Sequence, residues 1–156
     1  MLFRSESGSL SEPRNYVTLH DMHDDGVTES ALRAANEFYY RAFAARDLVA
    51  MEALWAQDGV ACVHPGWPAL IGRAAVIASY RDIFRNTAQE AVTAREAKII
   101  VGDNEGRVYC VEEVGGALLV ATNWFRRIDD DWRLLHHQAS PLVAQATPTT
   151  TKPAFH

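Results

Sequence analysis

The sequence predicts one α+β domain, in which three helices pack on one face of a strongly bent antiparallel sheet. Two observations support this prediction. Apolar residues recur at the helical spacing of three and four in the first half of the chain, whereas strand-like segments separated by short turns fill the second half. The length of 156 residues is usual for a single domain. Helices followed by a run of strands are typical of the α+β class.

The three helices are predicted from capping residues and apolar periodicity. Thr28 is a candidate N-cap of the first helix, which we expect over about 28–46. Its buried side is predicted to carry Leu32, Ala35, Phe38, Tyr39, Ala42 and Phe43. Asp47 is a candidate cap for a short second helix over 48–57. The third helix is predicted over about 73–86.

The strands follow from apolar segments bounded by turn residues. VACVH, residues 60–64, predicts the first strand, and the PGWPALIG segment after it predicts a loop, because it holds two prolines and two glycines. Four further strands are predicted over about 92–102, 107–114, 117–127 and 132–143. The turns between them are predicted over 102–106, 115–116 and 128–131.

The folded domain is expected over residues 28–144. We expect residues 1–27 to form a mobile, disordered arm and residues 145–156 a flexible tail, because neither segment shows apolar periodicity.

Charge and cysteine usage argue against several classes of protein. A net charge of −5 disfavours a nucleic-acid partner, since binding to the phosphate backbone depends on clustered Lys and Arg. No apolar run is long enough for a membrane span, and the N-terminus lacks the apolar core of a signal peptide. Cys62 and Cys110 lie apart without metal-type spacing, which indicates reduced thiols in a cytoplasmic protein. No phosphate-binding glycine loop occurs, so no cofactor is expected.

A two-residue turn at Gly115-Gly116 determines which side chains of the flanking strands share a face, because glycine accepts the positive φ of such turns. Side chains directly opposite each other point to the same side of a sheet. One face is therefore predicted to carry Cys110, Glu112, Leu119, Ala121, Asn123 and Phe125. A two-residue turn in the aspartate run adds Trp132, Leu134, His136, Gln138 and Ser140, whereas a three-residue turn would reverse them.

This face mixes apolar residues with several polar side chains, which is typical of a ligand pocket rather than of a pure core. The opposite face is predicted to be too apolar for open solvent. It would carry Val120, Thr122, Trp124, Leu135 and His137. We therefore expect a homodimer that forms through this outer face.

Four segments resemble the nuclear transport factor 2-like superfamily, and within it the SnoaL-like group. They are EFYYRAFAARDLVAMEALWA, VACVHPGWPALIGRAAVIASY, ATNWFRR and DWRLLHHQASP, within about residues 29–143. The resemblance implies a cone-shaped α+β roll, also called cystatin-like, whose bent sheet encloses a pocket. This fold hosts enzymes, binding modules and oligomerisation domains, so the fold alone does not choose among them.

Ketosteroid isomerase, an enzyme family of that superfamily, uses an Asp base together with a Tyr and a protonated Asp that stabilise an oxyanion. Tyr39 precedes Asp47 as the Tyr of that family precedes its Asp-Leu pair. His64 before Pro65 stands at the place of the base, and Asn123 stands at the place of the protonated Asp. The resemblance thus implies His64, Tyr39 and Asn123 as catalytic residues. The replacement of both carboxylates argues against steroid isomerisation.

Each candidate also has a structural alternative. His64 could transfer a proton near neutral pH or could order the Pro-Gly-Trp loop. Tyr39, or Tyr40 if the helix is rotated, could donate to a substrate oxygen or be a satisfied core residue. Asn123 could hold a developing oxyanion or be satisfied by its neighbours.

The remaining candidates for the pocket wall are Trp67, Cys62, Glu112, His136, Gln138 and Phe125. Glu112 could be a base or a histidine partner, or could reach solvent at the sheet margin. His136 and a second histidine could divide acid and base roles or bind a metal with Glu112, but the spacing does not form a metal motif, so no metal is expected. His137 is expected to be structural or to lie in the dimer interface.

Two hypotheses for function follow. The first is an isomerase, dehydratase or cyclase that acts by proton transfer on a small, largely apolar carbonyl or hydroxy compound. The alternative is a non-catalytic dimeric module that binds a small organic ligand or serves as an accessory domain.

Overall fold

The computed structural model describes the backbone of residues 19–143 and the side chains of residues 28–143. Within this range the first helix, α1, spans Leu19–Ala44. It begins before Thr28, so the prediction that Thr28 is its N-cap was wrong, and the segment 19–27 is helical. The rest of the predicted arm, 1–18, and the predicted tail, 145–156, lie outside the described residues.

Two further helices and six strands complete the chain. They are α2 Leu48–Leu54, β1 Ala61–Val63, β2 Leu70–Ile71, α3 Arg73–Arg85, β3 Val92–Val101, β4 Glu105–Val114, β5 Ala117–Ile128 and β6 Asp131–Pro141. Asp47 caps α2 as predicted, because its side chain accepts a hydrogen bond from the Ala50 amide. The short β2 was not predicted, since it lies in the proline- and glycine-rich segment that favoured a loop.

The six strands form one sheet in the order β2-β1-β6-β5-β4-β3. All neighbours are antiparallel except β1, which runs parallel to β6. The α1 helix packs across β3, β4 and β6, while α3 contacts β1 and β2. The three helices therefore cover one face of the sheet, and the predicted α+β roll is confirmed. Within residues 19–143, no helix combines the length and the apolar character that crossing a bilayer requires.

The core lies between this sheet face and the helices. Its fully buried large side chains include Leu32, Met51, Trp55, Val76, Tyr80, Phe125 and Leu134. The predicted buried side of α1 holds for Leu32, Tyr39 and Ala42, but Phe38 is 37% exposed and was wrongly placed there.

Both predicted two-residue turns are present. Val114 pairs with Ala117 around the two glycines, and Ile128 pairs with Asp131 around Asp129-Asp130. Asp129 and Asp130 have φ values of 50° and 65°, the left-handed conformation that a tight hairpin turn requires. The predicted pairing of β4 with β5 is confirmed, and Cys110, Glu112, Leu119, Ala121, Asn123 and Phe125 are all buried.

A β-bulge in β6 changes the face of its second half. Phe125 pairs with Leu134, but Trp124 pairs with His136, so Leu135 is an extra residue. One extra residue reverses the alternation of side chains beyond it. His137 and Ala139 are therefore buried, whereas His136, Gln138 and Ser140 lie on the outer face. The prediction that these last three face the pocket was wrong, although Trp132 and Leu134, before the bulge, are buried as predicted.

Arg46 joins the end of α1 to the segment that follows α3. Its guanidinium donates hydrogen bonds to the carbonyl oxygens of Phe84, Asn86 and Gln89 at 3.1, 2.9 and 3.0 Å. Because a single planar group reaches three carbonyls, this contact holds the segment between α3 and β3 against α1.

Replacing Arg46 with alanine is expected to lower the free energy of unfolding by about 1–2 kcal/mol, because three charge-assisted hydrogen bonds are lost at a partly solvated site. Urea unfolding followed by circular dichroism measures the change. Arg81→Ala, an exposed position in the middle of α3, is the matched control and should change stability little. Equal stability of Arg46→Ala and the wild type would contradict the prediction.

Candidate functional site

A cavity of about 600 Å³ opens between α1, α3, the segment after β1 and the concave face of the sheet. Its walls are mainly apolar, and three of its polar residues are buried: His64, Glu112 and His137. The other lining residues are Tyr39, Phe43, Pro65, Trp67, Asp82, Ile83, Asn86, Gln89, Val92, Val114, Ala117 and Leu119. An apolar cavity of this size with a few converging polar groups is typical of a small-molecule site.

Four buried side chains form a hydrogen-bonded group, which we call the polar ring: Tyr40, Glu112, Asn123 and His137. Glu112 and His137 line the cavity, whereas Tyr40 and Asn123 lie behind them. The Tyr40 hydroxyl donates to Glu112 Oε1 at 2.7 Å, and Asn123 Nδ2 donates to the Tyr40 oxygen at 3.1 Å. Asn123 Oδ1 lies 2.6 Å from His137 Nδ1. The ring closes with 3.9 Å between His137 Nε2 and Glu112 Oε1, which is too long for a direct hydrogen bond.

His64 has a defined proton position. Its Nε2 lies 2.8 Å from Ser79 Oγ, and Ser79 Oγ donates its own proton to the Val76 carbonyl at 2.6 Å. The serine oxygen therefore accepts a hydrogen bond from the Nε2–H group of His64. The neutral ring is left with an unprotonated Nδ1.

Burial shifts the pKa of all three buried groups towards the neutral form. It lowers the pKa of His64 to about 4. Burial, together with the neighbouring His64 and His136, lowers the pKa of His137 to about 3. Burial raises the pKa of Glu112 above its ordinary value, an effect that the hydrogen bond from Tyr40 partly offsets. The two imidazoles are therefore neutral near neutral pH, and burial makes the Glu112 carboxylate a stronger proton acceptor than an exposed one.

The structure brings together two of the three predicted catalytic residues at the cavity. Tyr39 and His64 both line it, and the Tyr39 hydroxyl lies 2.9 Å from the Tyr80 hydroxyl. Asn123 does not line it: the Asn123 amide nitrogen donates to Asn36 Oδ1 at 2.7 Å and to the Tyr40 oxygen. Its position therefore suits the support of other groups rather than contact with a ligand.

Some of the predicted pocket residues line the cavity, and others lie in the core or on the outer sheet face. Trp67 and Glu112 line the cavity. Phe125 and Cys62 are fully buried in the core, and burial raises the pKa of the Cys62 thiol to about 12. His136 and Gln138 lie on the outer sheet face because of the bulge, not in the pocket as predicted.

His137 lies on the face opposite to the predicted one, and Ser79 and Asn36 were not among the predicted site residues. The adjacent pair His136-His137 guaranteed one inward histidine, but only the bulge at Leu135 decides which one it is. Among residues 28–143, no three His, Cys, Asp or Glu side chains are grouped closely enough to hold a metal ion.

Comparison with known proteins places most of the folded region in one family. The sequence profile of the SnoaL-like domain matches residues 32–144. No curated protein matches the chain significantly.

Solved structures with the same fold are numerous. A candidate dehydratase of the NTF2-like family from Streptomyces avermitilis is 32% identical, with a TM-score of 0.69 over 76% of this chain and 99% of that one. A candidate calcium/calmodulin-dependent protein kinase type II association domain from Thiobacillus denitrificans is 36% identical, with a TM-score of 0.63 over 71% and 94%. An NTF2-like protein of unknown function from Pseudomonas putida is 18% identical, with a TM-score of 0.65 over 83% and 95%.

The low pKa values of His64 and His137 predict a loss of stability in acid. A histidine normally titrates near 6.5, so below that pH the unfolded chain binds more protons than the folded one. This contribution is complete above about pH 6.5 and is lost as the pH falls through the folded values of about 4 and about 3. Glu112 acts with the opposite sign, since its pKa is raised and its contribution is lost as the pH rises.

Replacing His137 separates its contribution to the pH dependence of stability from that of Glu112. His137→Gln should reduce the slope of unfolding free energy against pH by up to about 1.4 kcal/mol per pH unit below about pH 6, because one proton is removed from the balance. His136→Gln, at the neighbouring position on the outer face, is the matched control for the replacement of a histidine by glutamine. Urea unfolding at several pH values measures both. Identical slopes for His137→Gln and the wild type would show that His137 does not titrate as described.

Proposed function

Since this chain belongs to the SnoaL-like domain family, we propose that it is a cofactor-free acid–base enzyme acting on a small, largely apolar carbonyl or hydroxy compound. The observation that carries the proposal is the pairing of buried Glu112 with buried His137 at the end of an apolar cavity, across a gap of 3.9 Å. A buried acid beside a neutral base is costly to maintain for stability alone and is typical of catalytic sites.

Dehydration of a β-hydroxy carbonyl compound is the reaction that these groups suit best. A base removes the proton from the carbon next to the carbonyl, the carbon–oxygen bond breaks, and an acid protonates the departing hydroxyl to give water. His64, with its unprotonated Nδ1, is assigned as the base. The Glu112–His137 pair supplies the acid proton. The likeness to the Streptomyces avermitilis candidate dehydratase supports this choice over isomerisation or cyclisation.

The spacing of the two histidines fits this division of roles. Their ring centres lie 6.4 Å apart, so a substrate can present its carbon-bound proton to one and its hydroxyl to the other. The Trp67 ring meets His64 edge to face at 5.2 Å and forms part of the cavity wall, where it can cover an apolar substrate.

The lining of the cavity supports a neutral substrate. Among the described residues that line it there is no Arg or Lys, whereas Glu112 and Asp82 are both present. An anionic substrate would meet acidic groups without a compensating cation, which disfavours its binding.

The alternative is a binding module without catalysis. The likeness to the Thiobacillus denitrificans association domain supports this alternative. A scaffold would need no open cavity and would be expected to fill it with Trp67 and Phe125. Phe125 is instead packed in the core, and Trp67 is 43% exposed. These positions favour a ligand-binding cavity and, with the acid–base groups, an enzyme.

We also propose that the chain forms a homodimer through the outer sheet face. Four large apolar side chains on this face are exposed: Ile71, Ile100, Val120 and Trp124. His136 and Gln138 lie on it, whereas His137, which the sequence analysis assigned to this interface, points into the cavity. A second copy of the chain is the commonest cover for such a face.

His64→Ala and Glu112→Gln are expected to lower kcat/KM by about 10²–10⁴-fold, since each removes one proton-transfer group. The substrate panel consists of neutral aryl β-hydroxy ketones, whose dehydration to conjugated enones is followed by ultraviolet absorbance. His136→Gln is the matched control and should retain activity, because His136 lies outside the cavity.

Turnover by folded His64→Ala at the wild-type rate would remove His64 from the mechanism. Binding of the panel compounds without turnover by the wild type would favour the binding module.

The dimer proposal predicts a mass of twice 17.3 kDa by light scattering at micromolar concentration. Trp124→Glu should shift the protein towards the monomer, because it places a charge in the apolar interface. Val49→Glu, at an exposed apolar position on α2, is the control and should remain dimeric. A monomeric wild type would refute the proposal.

A further inference from the structure

In the polar ring, the donor and acceptor roles of the side chains follow one from another, starting from Glu112. Glu112 Oε1 is an acceptor, so the single proton of the Tyr40 hydroxyl is directed to it at 2.7 Å. The Tyr40 oxygen then has no proton left for other neighbours and must act towards them as an acceptor. Its two other contacts, Asn123 at 3.1 Å and Cys110 Sγ at 3.1 Å, are therefore donors.

This order determines the orientation of the Asn123 amide. Because the Tyr40 oxygen requires a donor, the NH₂ group of Asn123 faces it, and the second NH of that group reaches Asn36 Oδ1 at 2.7 Å. Asn36 is 4% exposed and Asn123 is fully buried, so water does not compete readily for either amide. The carbonyl oxygen of Asn123 is left facing His137.

The Asn123 carbonyl in turn determines where the proton of neutral His137 lies. Asn123 Oδ1 can only accept, and His137 Nδ1 lies 2.6 Å from it, so this nitrogen carries the proton. The Tyr39 ring packs against the His137 ring at a tilt of 32°, with centres 5.0 Å apart, and this contact keeps the imidazole in this orientation.

We propose that Tyr40 and Asn123 are positioning residues. Through their hydrogen bonds, the acceptor at Glu112 fixes the orientation of Asn123, and Asn123 in turn holds His137 as the Nδ1–H tautomer. The consequence is that His137 presents an unprotonated Nε2 to Glu112 Oε1 across the 3.9 Å gap. This nitrogen can only accept, so it requires a donor, which is either the Glu112 carboxyl when it is protonated or a hydroxyl group of the substrate. The site therefore suits a hydroxyl-bearing substrate, and this inference rests on the proposed acid–base function of the same site.

The wild-type protein tests the inference without any substitution. A long-range ¹H–¹⁵N correlation spectrum of uniformly ¹⁵N-labelled protein at about pH 7 distinguishes the protonated ring nitrogen from the unprotonated one. His137 should appear as the Nδ1–H tautomer, and the His137→Gln spectrum assigns its signals. A predominant Nε2–H tautomer in the wild type would overturn the proposal.

Tyr40→Phe tests whether Tyr40 influences the His137 tautomer through Asn123. It removes the hydroxyl that orients Asn123 while keeping the ring, so the ratio of Nε2–H to Nδ1–H should rise by about fivefold, the effect of losing one buried hydrogen bond. Tyr39→Phe is the matched control: it is the neighbouring buried tyrosine, but its hydroxyl pairs with Tyr80 outside the ring, so the ratio should stay unchanged. An unchanged tautomer ratio in folded Tyr40→Phe would contradict the positioning role of Tyr40.

The two proposals can fail separately. A wild-type Nδ1–H tautomer combined with full activity of Glu112→Gln would support the positioning role and defeat acid–base catalysis by this pair. A wild-type Nε2–H tautomer would defeat the positioning role, whatever the activity of Glu112→Gln.

Discussion

The extra residue at Leu135 is the constraint on which the site depends. It interrupts the pairing of β5 with β6 and turns His137 towards the helices, where it meets Asn123 and the end of the cavity. Without this bulge, the strict alternation of a strand would present His136 instead. The approach of His137 to Glu112 therefore depends on a local change in strand pairing, and bulges of this kind often redirect side chains at functional sites.

Burial of so many polar groups is compatible with stability because they satisfy one another. A buried polar group without a partner costs about 1–3 kcal/mol, so an isolated Asn123 or Glu112 would be strongly unfavourable. Among the side chains that the structure describes, Trp55 Nε1 is the one buried nitrogen or oxygen without a hydrogen-bond partner, and it lies outside the polar ring. The same hydrogen bonds that offset the cost of burial also hold the side chains in one arrangement, as a catalytic site requires.

Several elements could be predicted because they depend on local rules. The pairing of β4 with β5 follows from the Gly115-Gly116 turn, and that pairing places Glu112 and Asn123 on the buried face. The capping of α2 by Asp47 and the two-residue turn after Ile128 are equally local. The beginning of α1 was missed, since a polar and charged segment can continue a helix without showing apolar periodicity.

The sequence by itself determined the α+β class and the buried face of Glu112 and Asn123, because turn residues and apolar spacing act over a few neighbouring positions. It also carried the family resemblance that implied His64 and Asn123 as candidates. Only the tertiary structure decided which histidine of the pair enters the cavity and what Asn123 contacts. A bulge results from the fit of two strands against a shared core, and the partners of the Asn123 side chain come from α1 and β6, far apart in the chain. Such choices depend on long-range packing, which no local pattern of residues encodes.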